Sequence, residues 1–464
     1  MNRMLWGGVS LACGLLFVNT AAGAETDEEA LALVYGDKSF VTIATGSRLP
    51  LTRAPAVATV ITTQDIEATG ARDLDEALET VPGLHASNLL TYAGKPIDVI
   101  RGVYSQHNPQ VLMLINGLPI TSIFLGDRGD VWGGMPVENI ARIEVIRGPG
   151  SALYGADAFS GVINVITKTA ADLRGTHAGA RYGSCRTGDA WLLHGGAWGP
   201  FEAAAYLQFG RTDGQRRTIV SDNQTALDAL FGTDVSLAPG PPDLRRSAID
   251  GQLELGHGKW RWRASYKKRY DMGIGAGLAF ALDPRNNNVS ERFTSDLSYD
   301  HAGFAPNWDV SVQASHYRYN AQSTLTLFPP GAFGGAFPDG MLGNPAKWER
   351  RWRLAGSATY SGLRQHRIRL GAGHENARIY KTRETKNFNF VLVPGVGQVP
   401  VPLGGLVDVS DSAPFLSPTG RRRWSSCMSP TTRWRWATPT SSRKKWTAWK
   451  RPSHGSPPSG CSWG

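Results

Sequence analysis

Residues 140–168 constrain the fold of this chain more than any other stretch, because two β-branched runs flank a glycine-rich segment. The runs are Ile143–Ile146 and Val162–Thr167, and their composition predicts two buried strands. Four glycines punctuate the connection, at positions 148, 150, 155 and 161. Since glycine accepts positive φ and close backbone contacts, the pattern predicts a tight, shaped link between the two strands.

The spacing of these glycines does not fit a nucleotide site. Gly148 and Gly150 follow a strand, as in a dinucleotide fingerprint, but Leu153 stands at the third glycine position. The chain has no G-x-x-x-x-G-K-[ST], H-E-x-x-H, G-x-S-x-G or paired C-x-x-C motif. An oxidoreductase is therefore a weak alternative, and we expect no enzyme activity, cofactor or metal site. His85 and His107 stay open as haem ligands.

The basic charge of the chain is confined to its last 44 residues. The whole sequence has a net charge of +10, with 49 basic and 39 acidic residues. Residues 421–464 contain ten Lys or Arg and no acid, so residues 1–420 are balanced at 39 of each. A nucleic-acid partner is not expected, because the body of the chain carries no basic excess.

The stretch 140–168 resembles the end of the plug domain of TonB-dependent outer-membrane receptors, with the pattern I-x-R-I-E-V-x-R-G-P-x-S-x-L-Y-G followed by G-x-I-N-x-I-T-K. Three upstream motifs match plug signatures in the family's order: Val81-Pro82-Gly83, Ile100-Arg101-Gly102 and Leu114-Ile115-Asn116-Gly117. The resemblance covers about residues 49–169. It implies an α+β plug domain at 49–170, followed at 171–420 by an antiparallel transmembrane β-barrel portion, so that the fold is mainly β.

The N-terminal residues predict export and coupling. Residues 1–24 read as a signal peptide, with Arg3 ahead of an apolar run and Ala22-Gly23-Ala24 as the cleavage site. Residues 25–48 form an arm whose segment Val41-Thr42-Ile43-Ala44-Thr45 resembles a TonB box. Such an extended, β-branched segment adds as a strand to the sheet edge of a partner. An ordinary linker or first strand is the alternative.

The period of hydrophobicity changes to two from about residue 177. Trp260, Trp262, Ala264 and Tyr266 alternate with polar residues, as expected for strands with an apolar outer and a polar inner face. A soluble sandwich would also alternate, but short links alternate with long ones here, which favours an outer-membrane barrel. Nine strands are predicted, at 177–183, 190–198, 201–211, 248–256, 259–269, 291–301, 307–319, 349–361 and 365–381.

The resemblance also implies roles for residues of the plug. Arg101 and Arg147 match two plug arginines that pair with barrel glutamates in the family. Loops 86–95 and 121–132 correspond to the top of the plug, where ligand binds. Their candidate ligand contacts combine aromatic and polar side chains: Asn88, Tyr92, Phe124, Asp127, Arg128 and Trp132.

The function implied is uptake of a scarce nutrient across the outer membrane of a Gram-negative cell. The implied partners are the TonB energy-transducing complex, outer-membrane lipid and a small metal chelate, with a ferric siderophore first, and the receptor is expected to be a monomer. Cobalamin and haem remain open as ligands. The alternative is a non-transporting plug-type binding or signalling module in the periplasm.

The last 44 residues differ from the rest of the chain. They hold six of the fifteen tryptophans, no Tyr, Phe or acid, and no strand alternation. A barrel that holds a plug has about 22 strands, so the nine predicted strands are too few to close one. We therefore expect an inactive, truncated receptor whose reading frame changes near residue 420, and a basic interaction tail is the alternative.

Overall fold

The structure is a computed structural model that describes residues 57–88, 96–105, 107–124, 132–150, 156–363 and 366–410, together with positions 40, 41, 43, 49, 50, 126 and 154. The predicted signal peptide and the basic tail lie outside the described residues. Within them, no helix is long and apolar enough to cross a membrane.

The plug domain is built on a five-stranded sheet with the strand order β3-β8-β9-β6-β7. Strands β6 and β9 run parallel at its centre, and the other neighbouring pairs are antiparallel. Two small hairpins, β1-β2 and β4-β5, accompany it. The strands are β1 Phe40–Val41, β2 Leu49–Pro50, β3 Val57–Thr62, β4 Leu84–Asn88, β5 Pro96–Ile100, β6 Val111–Ile115, β7 Leu118–Pro119, β8 Ile140–Arg147 and β9 Gly161–Thr167.

The two central strands are buried on both faces, which explains their unbroken apolar sequences. Every residue of β6 is buried, and so is nearly all of β9. The β6–β7 hairpin has a two-residue turn of the kind that an Asn-Gly sequence favours: Asn116 has φ 49° and Gly117 has φ 77°, as a type I′ turn requires. The two β-branched runs flanking the glycines are β8 and β9, which pair with each other.

Three short helices complete the plug: α1 Thr63–Thr69, α2 Leu74–Leu78 and α3 Ala170–Leu173. Asp73 caps the N-terminus of α2, because its Oδ1 accepts the Glu76 N–H at 3.0 Å. The reciprocal bond of a capping box is replaced: Glu76 accepts the backbone N–H of Arg72, at 2.8 Å, rather than that of Asp73. Leu74, Ala77, Leu78 and Val81 form one apolar face and are buried.

A buried carboxyl–amide pair lies inside the plug beside the β4-β5 hairpin. Nδ2 of Asn108 donates to Oδ2 of Asp98 at 3.1 Å, while Oδ1 of each residue has no hydrogen-bond partner. Burial raises the pKa of Asp98 to about 7, although the hydrogen bond from Asn108 opposes this shift. A protonated Asp98 can donate to the unpartnered Asn108 oxygen, so the neutral acid suits this site.

The remaining described residues form one ten-stranded antiparallel sheet in chain order. Its strands are β10 Gly175–Gly183, β11 Thr187–Trp198, β12 Phe201–Thr212, β13 Arg246–His257, β14 Trp260–Met272, β15 Asn287–Ala305, β16 Trp308–Phe328, β17 Met341–Leu363, β18 His366–Val393 and β19 Gly397–Asp408. In the described part of the chain β10 and β19 do not pair, so the sheet stays open there. A fourth helix, α4 Asn223–Phe231, lies in the long link between β12 and β13.

The nine-strand prediction was short by one strand, and four of its strands were too short. β19 was missed, and β15 to β18 extend 19 to 28 residues. The predicted long links 270–290 and 320–348 shrink to 273–286 and 329–340. The reason is that the strands continue past the segments in which apolar and polar residues alternate. In β16, for example, Leu325 and Leu327 lie in this extension and pack against residues of the links.

The faces of the sheet confirm the apolar-out, polar-in prediction. On β15 the buried inner positions are polar or charged: Asn288, Ser290, Arg292, Thr294, Asp296 and Ser298. Phe293 and Leu297 alternate with them on the exposed face. A soluble sandwich would bury the apolar face. Here the buried face is the polar one, and it contacts the plug core through Tyr317 and Tyr319.

Replacing Asp98 with asparagine should remove one source of pH dependence. Because the folded protein holds a proton that the unfolded chain releases, wild-type stability should fall as pH rises from about 4 to about 7 and then level off, by on the order of 4 kcal/mol. Asp98→Asn can make both amide hydrogen bonds at every pH. Urea unfolding at pH 4 and pH 7.5 measures the difference.

The matched control is Glu67→Gln, which changes an exposed acid on α1. That variant should keep the wild-type fall in stability. An Asp98→Asn protein with the wild-type pH dependence would show that Asp98 is ionised in the folded state.

Candidate functional site

The loop that follows β7 lies against the inner face of β17, where one buried glutamate binds its backbone. Glu349 is fully buried and accepts the hydroxyl of Ser122 at 2.7 Å and the N–H of Ile123 at 2.6 Å. It also accepts the N–H of Phe124 at 3.3 Å. Lys347 stands 3.8 Å from the same carboxylate and donates to Ser122 Oγ at 3.1 Å. The carboxylate therefore satisfies donors that no strand pairs.

Cationic side chains of the sheet bind the carbonyl groups of the same loop. Arg351 donates to the carbonyl oxygens of Pro119, at 3.2 Å, and Thr121, at 3.4 Å. On β14, Lys267 donates to the carbonyls of Trp132 and Gly133.

The neighbouring Arg269 completes this set of contacts. It donates to the Gly134 carbonyl at 2.6 Å and is held by Asp250 at 2.7 Å. Asp250 lies on the neighbouring strand β13, so the cation keeps an anionic partner although it is buried. We call Lys267, Arg269, Lys347, Glu349 and Arg351 the wall cluster.

Two aromatic residues of the loop pack on cations of the sheet. Lys347 lies 5.2 Å from the ring centroid of Phe124, and Arg292 lies 5.9 Å from that of Trp132. The indole N–H of Trp132 donates to the Ile120 carbonyl at 2.9 Å, which closes the loop on itself. These contacts bury both rings between plug and sheet.

This burial corrects two of the predicted ligand contacts. Phe124 is 8% exposed and Trp132 is 1% exposed, so neither ring is open to a ligand in this structure. The sequence pattern failed because the loop folds back on the sheet, where aromatic rings fill the interface. Asn88 ends β4, and its side chain lies outside the described residues, as do Tyr92, Asp127 and Arg128.

Val41 and Ile43 of the predicted coupling segment lie docked on the plug. Val41 is 0% exposed and Ile43 is 3% exposed, and both pack in a cluster with Val60, Leu112 and Ile146. Only these two of its five residues are described for their side chains; Thr42, Ala44 and Thr45 lie outside the described residues.

A second buried glutamate binds the backbone of this segment. The N–H of Ile43 donates to Oε2 of Glu144 at 3.0 Å, and Nε of Arg142 donates to the other oxygen at 3.1 Å. Glu144 lies on β8 and is 0% exposed. A hydrogen bond to a buried charge is stronger than a neutral one, so this contact fixes the docked position of the segment.

The two plug arginines make other contacts than those predicted. Arg147 donates to the Pro82 carbonyl and, at 3.2 Å, to Oγ1 of Thr59, both within the plug. Arg101 is exposed, with φ 52°, and a Cβ atom at Gly148 would lie 3.4 Å from its Nη1. Among the described residues neither arginine forms an ion pair with a glutamate of the sheet, and their pairing with barrel glutamates stays a prediction.

A family model for the TonB-dependent Receptor Plug Domain matches residues 50–162, the domain that carries both glutamate-bound segments. This match identifies residues 50–162 as a TonB-dependent receptor plug domain. The matched family is one of outer-membrane receptors, which are not enzymes.

Curated relatives match part of this chain. The vitamin B12 transporter BtuB of Vibrio vulnificus is 42% identical over 127 residues, which cover 27% of this chain and 20% of that protein. The iron-regulated outer membrane virulence protein of Vibrio cholerae is 36% identical over 166 residues, 34% of this chain and 23% of that protein. The match thus spans about a fifth of the length of these relatives.

A solved receptor extends the likeness to the strands. The ferric yersiniabactin uptake receptor FyuA from Yersinia pestis superposes with a TM-score of 0.51 and 18% identity, over 71% of this chain and 49% of that one. At this identity the likeness concerns the fold. It covers the plug followed by antiparallel strands, as the sequence predicts.

The wall cluster and Glu144 were not predicted as functional residues. A signal for the cluster is present in the sequence, because Lys347, Glu349 and Arg351 recur at every second position of one strand. On a barrel strand such a period puts all three charges on the inner face. Glu144 gives no such signal, since it stands within an apolar strand and its partner lies 101 residues away.

Removing the carboxylate of Glu349 should loosen the loop. Glu349→Ala leaves Ser122 and two backbone N–H groups without an acceptor and Lys347 without its anion, at a cost on the order of 3–5 kcal/mol. Hydrogen exchange at the amides of Ile123 and Phe124 should accelerate. The matched control, Glu291→Ala, removes a part-exposed partner of Lys268 on the outer face and should cost less than about 1 kcal/mol. Equal effects would contradict the assigned role.

Glu144→Ala should release the coupling segment. The loss of a charged acceptor, worth about 1.5–3 kcal/mol, should raise the exchange rate of the Ile43 amide by about tenfold to a hundredfold. Glu144→Gln keeps an acceptor oxygen, so its Ile43 exchange rate should lie between those of the wild type and Glu144→Ala. Glu67→Ala on α1 should leave the rate unchanged. An unaltered Ile43 rate in Glu144→Ala would refute the contact.

Proposed function

We propose that the plug and strands of this chain are those of a TonB-dependent transporter that takes up a scarce nutrient across the outer membrane. The observation that carries the proposal is the docked segment at 41–43, held by Glu144 on a plug whose loop is bound to the sheet. Such a segment can serve as a point of attachment for pulling, because it is bound to the plug and directly precedes it in the chain.

The burial of this segment supports a need for external energy. Freeing Val41 and Ile43 exposes two apolar side chains, at about 1.5–3 kcal/mol each, and breaks the bond to Glu144. A ligand shifts this equilibrium only by its differential affinity for the two states. We propose that the TonB complex binds the freed segment as an added strand and pulls on the plug.

For the ligand we propose a metal chelate, with a ferric siderophore first. The relatives named above are a vitamin B12 transporter and an iron-regulated outer membrane protein, and FyuA is a ferric yersiniabactin receptor. Asn88, Tyr92, Asp127 and Arg128 remain our candidate contacts, whereas Phe124 and Trp132 serve to hold the loop.

The wall cluster argues against a plug that acts alone in the periplasm. Without the sheet, the backbone groups of residues 119–134 that bind Glu349, Arg351, Lys267 and Arg269 would lose these partners. The buried rings of Phe124 and Trp132 would also be exposed. A transporting receptor accounts for these contacts, and a periplasmic binding or signalling module does not.

Proline at position 42 should abolish coupling. Thr42→Pro removes a backbone N–H that an added strand donates, whereas Thr42→Ala keeps it. With a cysteine at Ala44, crosslinking to a purified periplasmic TonB domain should persist in the alanine variant and disappear in the proline variant. Crosslinking of both variants to the same extent would refute the assignment of the segment as a TonB box.

A further inference from the structure

Three arginines stand side by side on the outer face of the sheet. Arg318 of β16 is directly opposite Arg350 of β17, and Arg350 is directly opposite Arg378 of β18. All three are exposed, and Arg318 and Arg350 alternate with buried inner positions of their strands. We call these residues the arginine row. It lies on the opposite face of the sheet from the plug and takes no part in the contacts described above.

The arginine row has no anionic partner in the described part of the chain. Like charges directly opposite each other on neighbouring strands are destabilising, so the arrangement calls for a counter-charge. Glu291 is an acid on the same face nearby, and it pairs with Lys268 at 3.0 Å. The guanidinium of Arg350 packs over the ring of Tyr380 at 5.5 Å, a contact that supplies no anion for its charge.

The height of the arginine row on the strand points to lipid headgroups. On β16 the outer face runs from Trp308, which stacks on Tyr360 at the short-turn end, through Val310, Val312 and Ala314. Arg318 follows ten residues after Trp308, which is about 34 Å along a strand. At a tilt of about 35–45° this spans about 24–28 Å, the height of the apolar band of an outer-membrane barrel.

The orientation of the strands assigns the arginine row to the outer leaflet. β16 begins at the short link 306–307 and ends at the long link 329–340. Short turns face the periplasm and long loops the exterior, so the row lies on the exterior side of the apolar band. Just below it Trp352 stacks on His316, with ring centroids 4.0 Å apart. Just above it Lys381 and Arg383 add two exposed cations.

We propose that the arginine row binds the phosphate groups of an outer-leaflet glycolipid. Guanidinium groups pair with phosphate oxygens through two parallel N–H donors, and three of them match a headgroup with more than one phosphate. Trp352 and His316 offer an aromatic surface to the lipid next to the phosphates. The lipid phosphates neutralise the positive charge of this face, and the nutrient ligand of the transporter binds elsewhere.

The test compares two double variants of the whole chain in neutral detergent micelles. Arg318→Gln/Arg350→Gln removes two charges of the row, and Arg216→Gln/Arg217→Gln removes two exposed charges from the long link after β12. Calorimetric titration with diphosphorylated lipid A should show affinity lowered on the order of thirtyfold in the first variant. The second variant should bind like the wild type. The affinity of Arg318→Lys/Arg350→Lys should lie between those of the two glutamine variants, because lysine keeps the charge but lacks the paired N–H donors of arginine.

A thermal unfolding experiment separates binding from misfolding. Without lipid, Arg318→Gln/Arg350→Gln should be at least as stable as the wild type, since a repulsion is removed. Added diphosphorylated lipid A should raise the Tm of the wild type and not that of the variant. Equal affinities of the two glutamine variants, equal binding of dephosphorylated lipid, or saturation by inorganic phosphate at the same concentration as by lipid A would each overturn the proposal.

Discussion

An irregular stretch of backbone enclosed by protein must find partners for its own N–H and C=O groups, and the described residues between 119 and 134 meet this requirement with side chains of the sheet. Glu349 accepts the N–H and O–H donors of this stretch, while Arg351, Lys267 and Arg269 donate to its carbonyl groups. Two of these buried charges also have an opposite charge nearby, Lys347 for Glu349 and Asp250 for Arg269. The fit of the plug to the sheet depends on this set of hydrogen bonds and charge pairs.

The coupling segment follows the same principle with fewer contacts. One backbone N–H and two apolar side chains hold Val41 and Ile43, whereas the loop has several charge-assisted bonds and two buried rings. Local opening requires the free energy of the contacts that break, so the segment opens more readily than the loop. The plug is thus weakly held where it would be pulled and firmly held where it meets the sheet.

The sequence was sufficient where local chemistry decides the structure. The type I′ turn at Asn116-Gly117, the cap at Asp73 and the alternation on β15 all depend on neighbours within a few residues. It was insufficient where distant residues meet. Phe124 and Trp132 have the composition of ligand contacts, and only the path of their loop reveals that they face Lys347 and Arg292.

The lengths of the strands illustrate the same limit. Residues 320–328 break the simple alternation, so a search for alternation ends β16 too early. In the structure the backbone pairing continues, because Leu325 and Leu327 bury themselves under the links 273–286 and 329–340. Pairing along a strand depends on its neighbours, and the alternation of one strand alone does not report them.

Residues 347–352 of β17 serve both sides of the sheet at once. Odd-numbered Lys347, Glu349 and Arg351 bind the plug, while Arg350 and Trp352 face outward. A slip of this strand by one residue would exchange the two sets, turning a carboxylate toward lipid and a tryptophan toward the loop. Both exchanges are unfavourable, so the plug and the membrane fix the alignment of this strand together, and assembly of the sheet is coupled to the presence of the plug inside it.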